Sequence, residues 1–174
     1  MGVTRLNHAV LFVRDVKRST EFYRTVLGFE PLTDMASLRG AAFLRAPGST
    51  NDHDLGLFEI GAEAGASGAG RSTVGLYHLA WEVDTLAELE RIAAKLAEVS
   101  ALTGASDHST TKALYAKDPD ALEFEVSWLV PADLLTDEIL QGRTSIRPLD
   151  IQQEKERFGA QTRGGIGISI PALT

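Results

Sequence analysis

The segment LNHAVLFV, residues 6–13, decides the fold because a similar segment, LYHLAWEV, recurs at residues 76–83. Leu, His and Val keep their places across an offset of 70 residues. Each segment has the apolar character of a β-strand, and each is followed by an acidic residue and an amphipathic helical pattern. The sequence therefore predicts an internal repeat that begins with a strand followed by a helix.

Both predicted helices have recognisable ends. The first is expected at Val16–Leu27, with Asp15 as its N-terminal cap and Gly28 as its C-terminal stop. The second begins at a capping box, in which Thr85 is followed three residues later by Glu88. Apolar side chains at helical spacing follow that box, so a second amphipathic helix is expected there.

Three strand-like runs, separated by turn residues, follow each helix. They span residues 29–33, 41–45 and 54–60 in the first half and residues 101–105, 112–116 and 122–129 in the second. The order β-α-β-β-β therefore occurs twice. We predict an α+β fold of two tandem βαβββ modules, at residues 1–61 and 76–130.

The segments outside the modules differ in composition. Residues 62–75 are rich in Gly, Ala and Ser and are expected to form a flexible linker. Residues 131–174 form a C-terminal appendage with a short helix expected at residues 132–140. We expect the rest of this tail to wrap the body or a dimer partner.

Two further features of the tail bear on its structure. Gly164, Gly165 and Gly167 argue against a regular helix near the C-terminus. The charged run from Gln152 to Arg157 is expected to be a solvated face. The signals for residues 144–174 are therefore mixed.

The composition excludes several classes of protein. The 174 residues are 44% hydrophobic and 24% charged, which is typical of a globular protein and not of a disordered or fibrous chain. With 17 Lys and Arg against 24 Asp and Glu, a net charge of −7 and no basic run, nucleic acid is not an expected partner. No segment has the apolar length of a signal peptide or of a membrane span, so we expect a cytoplasmic protein with no membrane partner.

The absence of cysteine excludes disulfides, thiolate nucleophiles and Cys-ligated metals, so any metal must be held by His, Asp or Glu. The four histidines are His8, His53, His78 and His108. A single histidine in a strand is more often structural than a ligand, but His8 and His78 hold equivalent places in the repeat. If the modules pack about a pseudo-twofold axis, these two side chains approach each other as candidate ligands of one metal ion.

Two glutamates follow the same symmetry, because Glu59 lies in the last predicted strand of the first module and Glu125 in that of the second. Two histidines and one carboxylate, with coordination positions left open, form the facial triad of non-haem Fe(II) oxygenases. Two histidines and both glutamates would instead fill four positions. Both ligand sets stay open at this point, with Glu59 as the candidate fourth ligand.

Strand parity indicates which side chains share a face. In the last predicted strand one face carries Glu123, Glu125 and Ser127, and the other carries Phe124, Val126 and Trp128. We expect the apolar set to lie under a helix. His53 and Glu59, six residues apart on one predicted strand, are likewise expected to share a face.

Several motifs together resemble the vicinal oxygen chelate superfamily. They are the double βαβββ layout, the stretch HAVLFVRD at residues 8–15 that leads to Phe22-Tyr23 and Leu27-Gly28-Phe29, and the turn YAKDPD at residues 115–120 before Glu125. The resemblance covers residues 4 to about 130. It implies a cupped mixed sheet around a central metal site. The superfamily includes glyoxalase I, type I extradiol dioxygenases, fosfomycin-resistance transferases and metal-free bleomycin-resistance proteins, so the fold alone does not fix the reaction.

Within the superfamily, the chain most closely resembles small extradiol catechol dioxygenases. This resemblance implies that His8, His78 and Glu125 hold a divalent metal, Fe(II) in the first place and Mn(II) as an alternative. It also implies cleavage of a small aromatic diol by dioxygen, in aromatic catabolism, by a homodimer.

The same resemblance assigns three catalytic residues. His53, within the segment NDHDL at residues 51–55, is similar to the acid/base histidine of these enzymes. Tyr115, ten residues before Glu125, matches the tyrosine that hydrogen-bonds a substrate hydroxyl. His108 resembles a residue of the loop that precedes this tyrosine.

The chain departs from the family pattern in two places. The family's usual Asp-Pro-Asp-Gly-Asn turn reads DPDAL at residues 118–122. Glu59 completes a His/Glu/His/Glu order like that of glyoxalase I, which would use Zn(II) or Ni(II). A glyoxalase-like isomerase is therefore the alternative function, followed by a thiol transferase and a metal-free small-molecule binding protein.

Overall fold

The computed structural model describes residues 2–3, 5–35, 38–70 and 72–165. These residues form two compact units, one within residues 1–67 together with Asp118–Ala121 and the other within residues 68–117 and 122–165. The end of the predicted tail, from residue 166 and including Gly167, lies outside the described residues.

The first unit contains one βαβββ module. Its elements are β1 (Ala9–Val13), α1 (Val16–Leu27), β2 (Glu30–Pro31), a 3₁₀ turn (Thr33–Met35), β3 (Ala41–Arg45) and β4 (Leu55–Glu59). The strands are ordered β1-β4-β3-β2, with β1 parallel to β4 and the other neighbours antiparallel.

The second unit repeats this plan and extends it. Its module consists of β5 (Leu79–Glu82), α2 (Leu86–Glu98), β6 (Leu102–Asp107), β7 (Thr111–Lys117) and β8 (Glu123–Leu129). A 3₁₀ turn (Ala132–Leu134), α3 (Asp137–Gly142), β9 (Arg147–Pro148) and α4 (Ile151–Phe158) follow. The strand order is β5-β8-β7-β6-β9 with β5 parallel to β8. Two mixed sheets of four and five strands confirm the predicted α+β class.

The helix ends lie where the sequence predicts them. The carboxylate of Asp15 accepts a hydrogen bond from the backbone N–H of Arg18 at 2.9 Å, and Gly28 ends α1 with φ of 78°. The hydroxyl of Thr85 accepts from the N–H of Glu88 at 3.1 Å at the start of α2. Local capping therefore fixes both helices on the connections that leave the first strand of each module.

Each sheet has one face that a helix covers and that carries buried apolar side chains, and an opposite face that no helix of its module covers. In β1, Leu11 and Val13 are buried whereas Val10 and Phe12 are 51% and 69% exposed. In β8 the expected alternation is confirmed, because Phe124, Val126 and Trp128 are all buried and α2 packs against that strand. The polar residues of β8 consequently lie on the face away from the helix.

The C-terminal segment contains a helix that the mixed sequence signals did not predict. α4 packs against α2, and the ring of its Phe158 lies 5.5 Å from that of Trp128. The N–H of Gly164 continues the contact by donating to the carbonyl of Asp84 at 2.6 Å. The described part of the tail therefore packs on the second unit. The short helix expected at residues 132–140 is split into the 3₁₀ turn and α3, which Thr136 caps.

The charged run in α4 is not wholly solvated, which corrects the sequence expectation. Glu154 is 6% exposed and forms an ion pair of 2.9 Å with Lys112, whose side chain is fully buried. Lys112 also binds Asp107 at 2.5 Å, and Arg147 binds Asp107 at 2.9 Å. Burial by itself raises the pKa of Asp107, but hydrogen bonds from Lys112 and from the N–H of Ser109, together with both cations, lower it overall. A buried ammonium on the helix-covered face of β7 needs these counter-charges.

The turn with the altered family sequence keeps a defined shape in the first unit. The carboxylate of Asp118 accepts from the N–H of Asp120 at 2.9 Å, and Asp120 binds Arg14 and Arg18 at 3.0 and 2.5 Å. Ala121 has φ of 65°, the left-handed conformation that glycine tolerates best. This conformation costs an alanine about 1 kcal/mol, and the hydrogen bonds around the turn hold it in place.

None of the helices in the described parts of the chain is long and apolar enough to cross a membrane.

We predict that Lys112→Met lowers the free energy of unfolding by about 3–5 kcal/mol, because it leaves the Glu154 carboxylate buried without its partner. Urea denaturation followed by circular dichroism measures this loss. Lys95→Met is the matched control, since Lys95 forms an exposed pair with Glu98 that is worth under about 1 kcal/mol. Equal losses in the two variants would contradict the prediction.

Candidate functional site

The second sheet brings three predicted site residues to one face. Tyr115 of β7 and Ala80 of β5 both pair with Glu125 of β8, so all three share a face. His78 lies two residues before Ala80 and therefore has the same parity. Its Nε2 atom is 3.3 Å from Oε2 of Glu125.

The pair of His78 and Glu125 fits two ligands of one metal ion. Ligand atoms bound at about 2.1 Å to the same ion lie roughly 3 to 3.5 Å apart, which includes the observed separation. Nδ1 of His78 is buried and has no hydrogen-bond partner among the described residues. Imidazole nitrogen and carboxylate oxygen without thiolate suit Fe, Mn, Zn and Ni ions. The donor set thus fits the divalent metal that the resemblance implies.

Tyr115 and His108 form a hydrogen-bonded pair beside these two residues. The Tyr115 hydroxyl lies 2.9 Å from Nε2 of His108, and its ring centre lies 6.2 Å from that of His78. Burial raises the pKa of Tyr115, and the negative charge of Glu125 and the neighbouring Tyr77 raise it further. The hydroxyl is therefore protonated at neutral pH and can donate a hydrogen bond.

The first unit holds the other two predicted histidines next to each other. The ring centres of His8 and His53 are 4.5 Å apart. Nδ1 of His8 donates to the side-chain oxygen of Asn7 at 2.7 Å, and Nδ1 of His53 donates to Asp52 at 2.9 Å. Each hydrogen bond fixes the ring tautomer and leaves Nε2 with a free lone pair for a metal or a proton.

A polar network that sequence reasoning missed holds this pair of histidines. The amide of Asn51 donates to the backbone carbonyl of Asn7 and to the carboxylate of Asp54, both at 2.7 Å. Asp54 also accepts from the Ser49 hydroxyl and from the N–H of Ala46. In the sequence Asn7 precedes His8, and short polar residues lie on both sides of His53, which was the signal that could have indicated this network.

The same side of the first unit carries an apolar surface. The Phe43 ring lies 5.1 Å from His53 and 5.9 Å from Phe58. A Cβ atom at Gly56 would meet Val10 at 3.4 Å and Phe43 at 3.5 Å, so the backbone comes close to these side chains here. An aromatic molecule is chemically compatible with such a surface.

Glu59 does not share a face with His53, contrary to the sequence expectation. β4 begins at Leu55, so His53 lies in the preceding loop, whereas Glu59 has the parity of the buried Leu55 and Leu57. Oε2 of Glu59 accepts a hydrogen bond of 3.0 Å from the N–H of Val16, the first residue of α1. The structure thus gives this carboxylate a role at the helix N-terminus.

Within residues 2–3, 5–35, 38–70 and 72–165, no group of three or more His, Asp or Glu side chains is close enough to hold a metal ion. The site residues instead form two sets, His8 with His53 in the first unit and His78 with Glu125, Tyr115 and His108 in the second.

Comparison with known proteins identifies relatives of the whole two-module segment. The family model of the Glyoxalase/Bleomycin resistance protein/Dioxygenase superfamily matches residues 5–126. The catechol-2,3-dioxygenase of Bacillus subtilis (strain 168) is 34% identical over 125 residues, which are 71% of this chain and 41% of that protein. The chain thus spans about two fifths of the length of this curated relative.

Solved structures show the same fold. The glyoxylase/bleomycin resistance protein/dioxygenase domain from Frankia sp. EAN1pec has a TM-score of 0.61 at 22% identity, with 75% of this chain and 96% of that chain covered. A variant of the fosfomycin resistance protein FosX from Listeria monocytogenes, solved with Mn(II), has a TM-score of 0.53 at 15% identity, with 72% and 92% covered. The repeat, the sheet topology and these matches agree, and the chain belongs to the glyoxalase/bleomycin resistance protein/dioxygenase superfamily.

Proposed function

We propose that the protein is a metal-dependent extradiol dioxygenase that cleaves a catechol-type ring beside its two hydroxyls. The observation that carries this proposal is the cluster on the second sheet, where a His78–Glu125 pair lies beside Tyr115 and its partner His108. A tyrosine hydroxyl fixed by a histidine is not needed to hold a metal ion, but it is suited to form a hydrogen bond with a substrate hydroxyl. The 34% identical relative named a catechol-2,3-dioxygenase supports the same reaction class.

The proposed metal ligands are His8, His78 and Glu125, and the proposed metal is Fe(II), with Mn(II) as the alternative. The inclusion of His8 rests on its place in the repeat, on its free Nε2 and on the family resemblance. When bound, such an ion supplies the Lewis acidity and the redox chemistry that a diol and dioxygen need to react.

His53 is the proposed acid/base. Asp52 holds Nδ1–H, so Nε2 is the nitrogen that accepts a proton from a diol hydroxyl and later returns it. Imidazole is the side chain suited to both steps near neutral pH. The centre of the adjacent Phe43 ring lies 5.1 Å from that of the His53 ring in an edge-to-face arrangement, and the His53 side chain is 15% exposed.

Tyr115 is proposed to orient the substrate by donating a hydrogen bond from its hydroxyl group to a substrate oxygen. His108 keeps the hydroxyl in place through Nε2, and the turn that carries His108 is itself fixed by the hydrogen bond from the His108 N–H to the Thr111 carbonyl at 2.9 Å. Correct orientation of reactants contributes strongly to rate.

The homodimer, the cytoplasmic location and the role in aromatic catabolism stay predictions.

Metal content after anaerobic purification, followed by oxygen uptake with catechol and substituted catechols, tests the proposed function. We expect Fe(II) or Mn(II) to support uptake of one dioxygen per ring and to give a yellow ring-cleavage product. Tightly bound Zn(II) or Ni(II) with no oxygen uptake would contradict the proposal and favour a glyoxalase-like isomerase.

His53→Ala should lower the turnover of catechol by about 10²- to 10⁴-fold, the usual contribution of a general acid/base. Its metal content should equal that of the wild type, since His53 is not a proposed ligand. Oxygen uptake and metal analysis on the same preparation measure both quantities. Full activity in this variant would remove His53 from the mechanism.

Glu59→Gln distinguishes the dioxygenase from the glyoxalase-like alternative. Because the Glu59 carboxylate caps α1, we expect unchanged metal content and a loss of about 0.5–1 kcal/mol in unfolding free energy. Asp15→Asn is a matched control at the same helix end. A large loss of bound metal in Glu59→Gln alone would restore Glu59 as the fourth ligand.

A further inference from the structure

The carboxylate of Glu125 has a second partner besides His78. The hydroxyl of Ser127, two residues further along β8, donates to Oε1 of Glu125 at 2.5 Å. Ser127 is only 5% exposed, so water does not compete freely for this hydrogen bond. Its backbone carbonyl accepts from the N–H of Val83 at 2.9 Å, which anchors the strand at this position.

The two oxygens of Glu125 therefore have different environments. Oε1 is held by Ser127, whereas Oε2 lies 3.3 Å from Nε2 of His78. Since a hydrogen bond from a hydroxyl to a carboxylate is strong and directional in a buried place, rotation of the carboxylate is restricted. Only Oε2 is directed to the position that His78 also faces.

We propose that Ser127 is a positioning residue that makes Glu125 a one-oxygen metal ligand. This inference rests on the proposed function, because it assumes that Glu125 binds the metal.

The number of coordination positions gives this role its importance. An ion with octahedral coordination has six positions, and two histidines with a one-oxygen carboxylate would occupy three of them. The other three positions would then be left for a diol bound through both oxygens and for one dioxygen. A carboxylate that bound through both oxygens would take one of these positions and exclude a reactant.

A simpler role for Ser127 is to fill space on a buried strand, and the two roles predict different results. Space filling affects stability only, whereas positioning affects metal affinity and coordination number. Ser127→Thr and Ser127→Val form a matched pair, because the two side chains have nearly the same shape and differ in the hydroxyl. Both β-branched residues are well tolerated in strands.

The experiment is titration of the metal-free full chain with Co(II) against a competing chelator, with the visible absorption spectrum recorded at each step. We expect Ser127→Val to bind Co(II) about 10- to 100-fold more weakly than wild type. We also expect weaker d–d absorption, as the coordination number rises when Glu125 binds through both oxygens. Ser127→Thr should restore both values.

Ser19→Ala is the control for a buried serine in the other unit, because Ser19 is fully buried in α1, and it should leave Co(II) binding unchanged. Equal affinity and equal spectra for the Thr and Val variants would overturn the role of Ser127 and leave the proposed function standing. A wild-type chain that binds no Co(II) in this titration would overturn both.

Discussion

The parallel pairing of the first and last strands in each module is the constraint on which the rest of the structure depends. β1 pairs with β4 and β5 pairs with β8, although the helix and two further strands separate each pair in sequence. In the second unit this pairing sets Ala80 opposite Glu125, and that register brings His78 to the same carboxylate. A shift by one residue would turn Glu125 towards the helix and remove the site.

The same register gives each sheet two faces with different chemistry. The helix-covered face of the second sheet is largely apolar but carries the cross-strand pair Lys112 and Asp107. The charge of Lys112 is balanced by Asp107 and by Glu154 of α4. The opposite face carries imidazole, carboxylate and hydroxyl groups that contact one another, as in the pairs His78–Glu125, His108–Tyr115 and Ser127–Glu125. Rigid strands therefore support the reactive groups, while the helices and the described tail stabilise the face behind them.

The sequence predicted those features that depend on local patterns. The repeat, both N-terminal caps, the stop at Gly28 and the alternation of β8 are all confirmed, since periodicity and capping are local properties. The face on which Glu59 lies was not predictable from residue spacing, because counting from His53 treated that histidine as part of the strand, which begins only at Leu55. Likewise, the partners Asn7 and Ser127 depend on how rings and carboxylates turn within the folded units. The burial of Glu154 was not predictable either, because its partner Lys112 lies on β7 and no local pattern in α4 indicates that ion pair.

Because the turn at Asp118–Ala121 belongs to the first unit, that unit can be completed only after most of the second module has been synthesised. Asp120 binds the N–H and guanidinium of Arg14 across 106 positions of sequence, and Asp118 accepts a hydrogen bond from the buried Tyr23 hydroxyl at 3.2 Å. A nascent chain that has grown only to residue 67 therefore lacks the turn at Asp118–Ala121, which belongs to the first unit. Contacts between residues so far apart in sequence slow folding. During synthesis, Arg14 and Arg18 leave the ribosome before Asp120, so their ion pairs form only after the second module has been partly made.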